Sequence, residues 1–178
     1  MLGNRIYINK KGEKHPLLDP TVVSKNIDDR GDGTFTFKAN NGDNYALKII
    51  FQRISAIGKQ SIISEFFREY AKFRKIIVAK DFNNKIAEHV SRQHTQIFKE
   101  NSLLEDIITN HYQPKFELLS PSEMEKVKQE YNATDYSIEK IMRSDPITKY
   151  FALKKGDIIR IIRPSPTSGE AIAYRIVS

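Results

Sequence analysis

Two groups of cations have a spacing that could support binding. They are Lys80, Lys85 and Arg92 in the middle of the chain, and Arg160, Arg163 and Arg175 near its end. Lysine and arginine side chains contact phosphates and carboxylates, arginine often with two parallel hydrogen bonds. For the first group, a solvated helix face explains the pattern nearly as well as nucleic-acid contact does. In the second group, one of Arg160 and Arg163 is expected to face a partner or to pair with an acidic side chain, and the other to face solvent.

No catalytic motif accompanies these cations. The sequence contains neither a GxGxxG nor a GxxxxGK[ST] phosphate loop, and it lacks the GxSxG elbow of serine hydrolases. A metal-dependent nuclease needs an acidic residue two positions before a strand lysine, but Ala46 stands there before Lys48, and Asp43 alone cannot hold the ion. His111, beside Tyr112, has the chemistry of a general base, although we favour a structural or capping role for it.

Composition narrows the classes further. The 178 residues include 29 Lys plus Arg and 22 Asp plus Glu, a formal net charge of +7. The absence of cysteine excludes disulfides, cysteine zinc sites and a cysteine nucleophile, and the four histidines are too scattered to predict a metal site. A hydrophobic content of 39% is enough for a core, and no apolar run is long enough to span a membrane. We expect an intracellular protein of one or two domains, without metal or cofactor.

The charge is divided unevenly along the chain. Residues 110–178 carry 11 basic and 9 acidic side chains, a net charge of +2, which leaves +5 for residues 1–109. The polar segment 110–114 ends in proline and is the predicted boundary between a domain of residues 1–109 and a domain of residues 110–178.

The elements that must position the first group of cations are predicted from periodicity. Alternating residues indicate half-exposed strands at 5–8 and 34–38, and Asn41-Gly42 predicts a hairpin that pairs the second of these with 45–51. A helix at 58–73 with an aromatic core stripe, a buried strand at 75–79, a helix at 83–91 and a strand at 94–98 follow, an order that indicates a βαβ-like unit. Residues 103–109 fit a short helix or a strand.

The second group of cations lies on a predicted C-terminal hairpin. A strand at 116–119 precedes a helix that starts with the Ser120–Glu123 capping box and ends near 131, and Asp145-Pro146 starts a shorter helix. Residues 158–163 and 171–177 then pair as two strands. Arg160 and Arg163 differ by an odd number, so they project from opposite faces. The predicted fold class is α+β, with an α/β N-terminal domain and a small α+β C-terminal domain.

The C-terminal residues resemble a known family. Residues 144–178 closely resemble, without a gap, the signature of the fifth, shared subunit of eukaryotic RNA polymerases, a family whose shorter archaeal members have only this C-terminal domain. The shared features are an Asp145-Pro146 helix start, a basic turn ending at Gly156, an apolar strand with Arg160, an Arg163-Pro-Ser segment, a turn with Gly169, and Tyr174-Arg175. Upstream, His111 and Pro114 are similar to the family's His-x-Leu-Val-Pro-x-His segment.

The resemblance implies a non-catalytic subunit whose C-terminal assembly domain docks on the largest polymerase subunit. The assembly-interface candidates it implies are His111, Pro114, Asp145, Pro146, Gly156, Arg160, Arg163, Gly169, Tyr174 and Arg175. A small domain of this kind gains stability from a partner.

Residues 58–98 resemble, more weakly, the later part of the family's N-terminal jaw, which lies beside downstream duplex DNA. The resemblance therefore implies sequence-independent DNA contacts by the loop after the buried strand, with Lys80, Asn83, Asn84 and Lys85 as the candidates. The helical opening typical of cellular members is replaced by short strands, which favours a large DNA virus or a divergent eukaryote as the source. The expected location is a virus factory and virion, or the nucleus if the source is cellular.

Two other functions remain open. The first is a free-standing basic protein that binds nucleic acid, and the second is a remnant nuclease fold. Tight binding of the isolated chain to duplex DNA would favour the first, and metal-dependent cleavage would favour the second.

Overall fold

The structure is a computed structural model of the full chain. It describes residues 5–9, 11–19, 27–58, 60–92, 95–104, 108, 110, 112–134 and 136–178. The chain forms two compact units, one of residues 17–105 and one of residues 3–16 together with 106–178. We call them the central unit and the terminal unit. Helices and β-sheets are combined in a mixed α+β fold, so the predicted fold class is confirmed.

The strands and helices of the described residues are numbered here in chain order. The strands are β1 (Ile6–Ile8), β2 (Lys14–Pro16), β3 (Asp28–Asp29), β4 (Thr34–Lys38), β5 (Asn44–Ile54), β6 (Arg74–Phe82), β7 (Thr95–Lys99), β8 (Lys115–Leu118), β9 (Glu139–Ile141), β10 (Ile158–Ser165) and β11 (Gly169–Val177). The helices are α1 (Ile62–Glu69), α2 (Asn84–Arg92), α3 (Asn101–Leu104), α4 (Pro121–Glu130) and α5 (Pro146–Phe151).

The central unit is built on a five-stranded sheet of order β3-β4-β5-β6-β7. The predicted hairpin is confirmed: β4 and β5 pair antiparallel, and Gly42 in the turn has a φ of +87°. Strands β5, β6 and β7 are parallel, with α1 and α2 in the two crossovers, so the predicted βαβ order is confirmed as well. Apolar side chains such as Phe66, Ile77 and Val90 form the core against one face of the sheet.

Helix α1 is shorter than the predicted range of 58–73. It starts after Ser61, whose hydroxyl accepts a hydrogen bond from the Ser64 N–H, and it ends at Glu69, with Tyr70 as the C-cap. The buried Lys75 amine donates to the carbonyls of Tyr70 and Phe73, at 3.3 and 3.2 Å, and so stabilises the turn between α1 and β6. The aromatic stripe packs in the core as expected. The undecided segment 103–109 begins inside α3, whereas residues 105–107 and 109 lie outside the described part.

The terminal unit is built on a sheet of order β8-β10-β11-β9 that buries both of its faces. Alternate residues of β10 enter different clusters: Ile158 packs with α4 through Val127, whereas Ile159 and Ile161 pack on the side of α5 with Phe151. This two-sided burial explains why the predicted apolar strand is nearly continuous in hydrophobicity.

Both predicted helix starts in this unit are confirmed. Ser120 accepts from the Glu123 N–H, and the Glu123 carboxylate accepts from the Ser120 N–H, which completes the capping box of α4. Asp145 accepts from the Ile147 N–H at 2.8 Å, and Pro146 is the first residue of α5. Each box or cap contributes about 1 kcal/mol to helix stability.

Residues 5–16 fold with the terminal unit, whereas the sequence assigned them to a domain of residues 1–109. The reason is Arg5, which is only 2% exposed. Its Nε donates to the Tyr150 carbonyl at 2.6 Å and its Nη2 to the Lys149 carbonyl at 3.0 Å. These carbonyls lie in the last turn of α5, where a helix leaves hydrogen-bonding capacity on its carbonyls; that of Lys149 also accepts from the Ala152 N–H at 3.2 Å. Lys14 adds an ion pair with Glu123, Nζ to Oε2 at 2.8 Å.

This arrangement changes the distribution of charge. Residues 1–16 contain 4 basic and 1 acidic side chains, so they take +3 of the charge that the sequence had assigned to the N-terminal domain. Residues 17–105 contain 14 basic and 11 acidic side chains, a net charge of +3. Basicity therefore does not distinguish the two units. Among the described helices, none is long and apolar enough to cross a lipid bilayer.

Candidate assembly surface and nucleic-acid interface

Three polar side chains align across the sheet of the terminal unit. The register of β10 puts Arg160 opposite Glu117 of β8 and opposite Tyr174 of β11. The Arg160 Nε donates to Glu117 Oε2 at 2.9 Å, and the Lys115 Nζ lies 2.8 Å from Oε1. Hydrogen bonds from Lys115 and then from Arg160 lower the pKa of Glu117, and the Glu117 carboxylate raises the pKa of Arg160. The Arg160 guanidinium is therefore already bound by a carboxylate of the same chain.

Tyr174 is also engaged within the unit. Its ring centroid lies 5.6 Å from that of Tyr131, and it packs beside the cluster that contains Leu119 and Ile158. Partial burial is the main cause that raises the pKa of its hydroxyl. Tyr174 thus supports the sheet at the place where Arg160 crosses it.

Arg163 differs from its neighbours on the hairpin. It lies on the face opposite Arg160, as the odd spacing predicts, and it is exposed. Within the described residues it makes no hydrogen bond and no ion pair. Arg175, by contrast, has its Nη2 3.4 Å from Glu139 Oε2, and its buried Nε has no partner among the described residues. Of the three hairpin arginines, Arg163 is therefore the one whose guanidinium, as far as the described residues go, remains available for two parallel hydrogen bonds to another molecule.

The outer part of the hairpin combines this arginine with apolar surface. Strand β8 reaches along β10 only to Ile162, so residues 163–171 extend beyond the third strand. Ile172, opposite Ile162, is 52% exposed although it is a strand residue. We call residues 162–172 the distal hairpin. Ile172 shares the face of Arg160, whereas Arg163 projects from the other face, so the distal hairpin offers an apolar side chain on one face and a guanidinium on the other.

The DNA-contact candidates lie where β6 leads into α2. Lys80 is an exposed residue of β6, and Lys85 is exposed in the first turn of α2; neither has a hydrogen-bond or ion-pair partner in the part of the chain that is described. The Asn83 side chain accepts from the Ile86 N–H at 3.0 Å and caps α2, while Asn84 is exposed. The side chain of Arg92 lies outside the described residues.

Asp81 adds a negative charge between these two lysines, and two cations that sequence reasoning missed neutralise it. Lys99 Nζ lies 2.7 Å from Asp81 Oδ1, and Arg53 Nε lies 3.3 Å from Oδ2. The hydrogen bond from Lys99 is the main cause that lowers the pKa of Asp81. The signal that points to Arg53 and Lys99 is their position at the carboxyl ends of the strands on either side of β6, because such ends meet at one edge of a parallel sheet. Within the described ranges, no acidic side chain pairs with Lys80 or Lys85.

Comparison with known proteins decides the family. The chain is 61% identical over 177 residues to a protein named DNA-directed RNA polymerase subunit 5 of Acanthamoeba polyphaga mimivirus, an overlap that covers 99% of this chain and 86% of the relative. The chain belongs to the family of the fifth RNA polymerase subunit. The resemblance predicted from the C-terminal residues is therefore confirmed, and the eukaryotic and archaeal relatives described next agree with it.

More distant members of the fifth-subunit family are also similar. A Caenorhabditis elegans protein named DNA-directed RNA polymerases I, II, and III subunit RPABC1 is 28% identical over 177 residues, covering 96% of this chain and 79% of the relative. The subunit Rpo5 of Methanocaldococcus jannaschii is 39% identical over 71 residues, or 39% of this chain and 91% of the relative. The family model described as RNA polymerase Rpb5, C-terminal domain, matches residues 105–177.

Several of the candidates that the family resemblance implied have structural tasks in this chain. Gly156 and Gly169 have φ values of +91° and +76°, so both turns use the left-handed backbone conformation that favours glycine. Asp145 and Pro146 start α5, and Pro114 lies half-buried just before β8. His111 falls outside the described residues. A part for any of them in an interface stays a prediction.

Lys48, the strand lysine on which the nuclease alternative depends, has a structural role in the central unit. Lys48 Nζ donates to Asp32 Oδ2 at 2.9 Å, to the Asp32 carbonyl at 3.0 Å and to Thr34 Oγ1 at 2.8 Å. The hydrogen bond from Lys48, followed by one from Thr34, lowers the pKa of Asp32 to about 2. Ala46 is fully buried in the core where a nuclease requires a metal-binding acid. The Lys48 amine therefore closes the turn before β4.

Proposed function

We propose that this chain is a non-catalytic subunit of a DNA-directed RNA polymerase. The observation that carries the proposal is the 61% identity over 177 residues with the mimivirus protein named as subunit 5 of that enzyme. The match is not confined to the C-terminal motif, since it covers 99% of the chain. Both units of the fold therefore belong to the relationship on which the proposal rests.

The terminal unit is proposed to dock on the largest polymerase subunit through the distal hairpin. Arg163, which has no partner among the described residues, supplies directional hydrogen bonds on one face of the hairpin, and the exposed side chain of Ile172 supplies apolar area on the other face. Arg160 and Tyr174, which are held by Glu117 and Tyr131, lie on the face of Ile172 and keep the two strands aligned.

The central unit is proposed to lie beside downstream duplex DNA. Lys80 in β6 and Lys85 in the first turn of α2 are exposed cations without an ion-pair partner among the described residues, which suits contact with phosphates irrespective of sequence. The polymerase works inside the cell, so the proposed location is a virus factory and virion for a viral source and the nucleus for a cellular one.

The test is purification of the tagged full chain from its native source, with cross-linking and mass spectrometry of the complex. We expect a multisubunit polymerase, with cross-links to the largest subunit from Lys115, an exposed lysine that lies opposite Ile162 of the distal hairpin. Recovery of the chain without any polymerase subunit contradicts the proposed function. Recovery of the polymerase with these cross-links on a different subunit contradicts only the docking assignment.

The free-standing nucleic-acid-binding alternative makes a different prediction in the same preparation. The chain would then leave the polymerase at moderate salt and bind duplex DNA alone with submicromolar affinity. A subunit held by the rest of a complex needs little DNA affinity of its own, so weak binding by the isolated chain supports the polymerase assignment.

A further inference from the structure

Strand β5 is much longer than the neighbour that covers one of its edges. It runs from Asn44 to Ile54, but its pairing with β4 ends where Lys48 lies opposite Thr34. One more backbone hydrogen bond follows, from the Ile49 N–H to the Gly33 carbonyl at 2.8 Å. From residue 50 to residue 54, β6 pairs with one edge, and in the described part of the chain no strand pairs with the other. We call residues 50–54 the open edge; its length is about 17 Å.

A large apolar side chain stands on the open edge. Phe51 is 76% exposed, and Gln52 and Arg53 beside it are exposed too. The pairing of Ile50 with Ala79 and of Arg53 with Asp81 leaves Phe51 and Gln52 opposite the single residue Lys80, which is a β-bulge. Bulges redirect side chains and are common beside functional sites.

The charge around the open edge is positive. This end of the sheet carries three basic and two acidic side chains, namely Arg53, Lys80, Lys99, Asp81 and Glu100. Of the three cations, Lys80 has no partner among the described residues. The surface therefore favours a ligand that is negatively charged.

The form of the edge favours a polypeptide over a nucleic acid. A strand edge presents N–H donors and C=O acceptors in alternation, and an added peptide strand satisfies both. Phosphate groups only accept, so they would leave the carbonyls of residues 50–54 unpaired. An open edge with an exposed phenylalanine also promotes aggregation, which favours cover by a permanent neighbour.

We propose that the open edge, residues 50–54, binds an extended acidic segment of another polymerase subunit by strand addition. The inference rests on the proposed function, because it takes the partner from the same complex. Phe51 packs against an apolar residue of the added strand, and Arg53 and Lys80 attract its carboxylates.

Hydrogen exchange of backbone amides tests this in three samples: the isolated full chain, the purified polymerase without nucleic acid, and the polymerase bound to DNA. We expect the outward-facing amides of residues 50–54 to exchange at least ten-fold more slowly in the nucleic-acid-free polymerase than in the isolated chain. Slowing that requires DNA, or no slowing in either complex, overturns the inference. Failure of the chain to assemble with the polymerase counts against the proposed function instead, so the two failures are distinguishable.

A photo-reactive residue in place of Gln52 identifies the occupant in the intact polymerase. We expect one acidic segment of another subunit to be cross-linked, and a several-fold lower yield when Arg53→Glu is added. The matched control is Lys72→Glu, an exposed lysine of the same unit outside the edge, which should leave the yield unchanged. Cross-linking to nucleic acid, to a second copy of this chain or to a basic segment overturns the inference. Thermal unfolding of each variant confirms that it is folded.

Discussion

The two units of the chain hold their cations in different ways. In the terminal unit the central cations are arginines fixed by the fold: Arg5 donates to two helix carbonyls, and Arg160 to Glu117 across the sheet. In the central unit the candidate cations Lys80 and Lys85 are lysines on the surface, without a partner among the described residues. The net charge does not separate the units, but the way the charge is held does.

This difference matches two kinds of recognition. Arginine presents a rigid, planar set of donors, so it suits a contact in which geometry identifies the partner, as in docking on one protein. Lysine is a mobile point charge, so it suits contact with a phosphate backbone that carries no sequence information. The same division predicts that changes in the terminal unit affect folding and assembly, and changes at the end of β6 affect the salt dependence of DNA retention.

The largest expected effect comes from Arg5→Met. The change removes the guanidinium that donates to the Lys149 and Tyr150 carbonyls, and the contact with Tyr150 is buried, so we expect the free energy of unfolding to fall by about 3 kcal/mol. Urea unfolding measures the loss, and exchange of the β10 amides assigns it to the terminal unit. Arg163→Met, at an exposed position, is the control and should cost less than about 0.5 kcal/mol. Equal losses would remove the distinction between fixed and free arginines.

Arg163→Ala should weaken assembly without affecting folding. A central interface arginine typically contributes about 2 kcal/mol, so we expect about a 30-fold lower affinity for the polymerase. Competition between tagged wild-type and variant chains during reconstitution measures the ratio. Arg163→Lys keeps the charge but loses the paired donors, and it should recover only part of the affinity. If Arg163→Ala competes as well as the wild type, the distal hairpin is not the docking surface.

The double variant Lys80→Glu/Lys85→Glu tests the other side of the comparison. We expect it to assemble normally and to lower the slope of DNA retention against log salt by about 2, one for each lost phosphate contact. Salt titration of stalled elongation complexes gives the slope. Lys38→Glu/Lys72→Glu makes the same change of charge at exposed lysines elsewhere in the central unit and should leave the slope unchanged. An unchanged slope for Lys80→Glu/Lys85→Glu refutes the contact.

The smallest effect is an acid-dependent one. The pKa of Glu123 is lowered from 4.5 to about 2: partial burial, the largest single influence, raises it, but hydrogen bonds from Lys14 and Ser120 together outweigh it. Because the folded pKa lies below the unfolded one, this stabilisation is present above about pH 4.5 and is lost as the pH falls towards 2. After solvent screening we expect a loss of about 1 kcal/mol.

Glu123→Gln should remove that part of the acid dependence from the terminal unit only. Asp32→Asn should do the same for the central unit, since the pKa of Asp32 is lowered to about 2 by Lys48. Urea unfolding between pH 5 and pH 2, with amide exchange to separate the units, measures both. Identical pH profiles for Glu123→Gln and the wild type would show that the Lys14–Glu123 ion pair does not stabilise the terminal unit.

Features that depend on neighbouring residues could be predicted from the order of amino acids. The Asn41-Gly42 hairpin, the Ser120–Glu123 capping box, the Asp145 cap and the opposite faces of Arg160 and Arg163 each involve residues a few positions apart. Turn geometry, caps and the two-residue period of a strand are local properties, and local sequence is sufficient for them. The family signature in residues 144–178 is local in the same sense.

Features that join distant residues required the fold. Arg5 belongs to the terminal unit because its guanidinium donates to carbonyls 145 and 144 positions away. The local sequence could not predict this, because an arginine at the start of a short strand usually lies on the surface. Arg53 and Lys99 neutralise Asp81 because parallel pairing through two crossovers brings the ends of β5, β6 and β7 together. The open edge exists because β5 extends past β4. Pairing partners, burial and charge compensation are properties of the three-dimensional arrangement, so only the tertiary structure decided them.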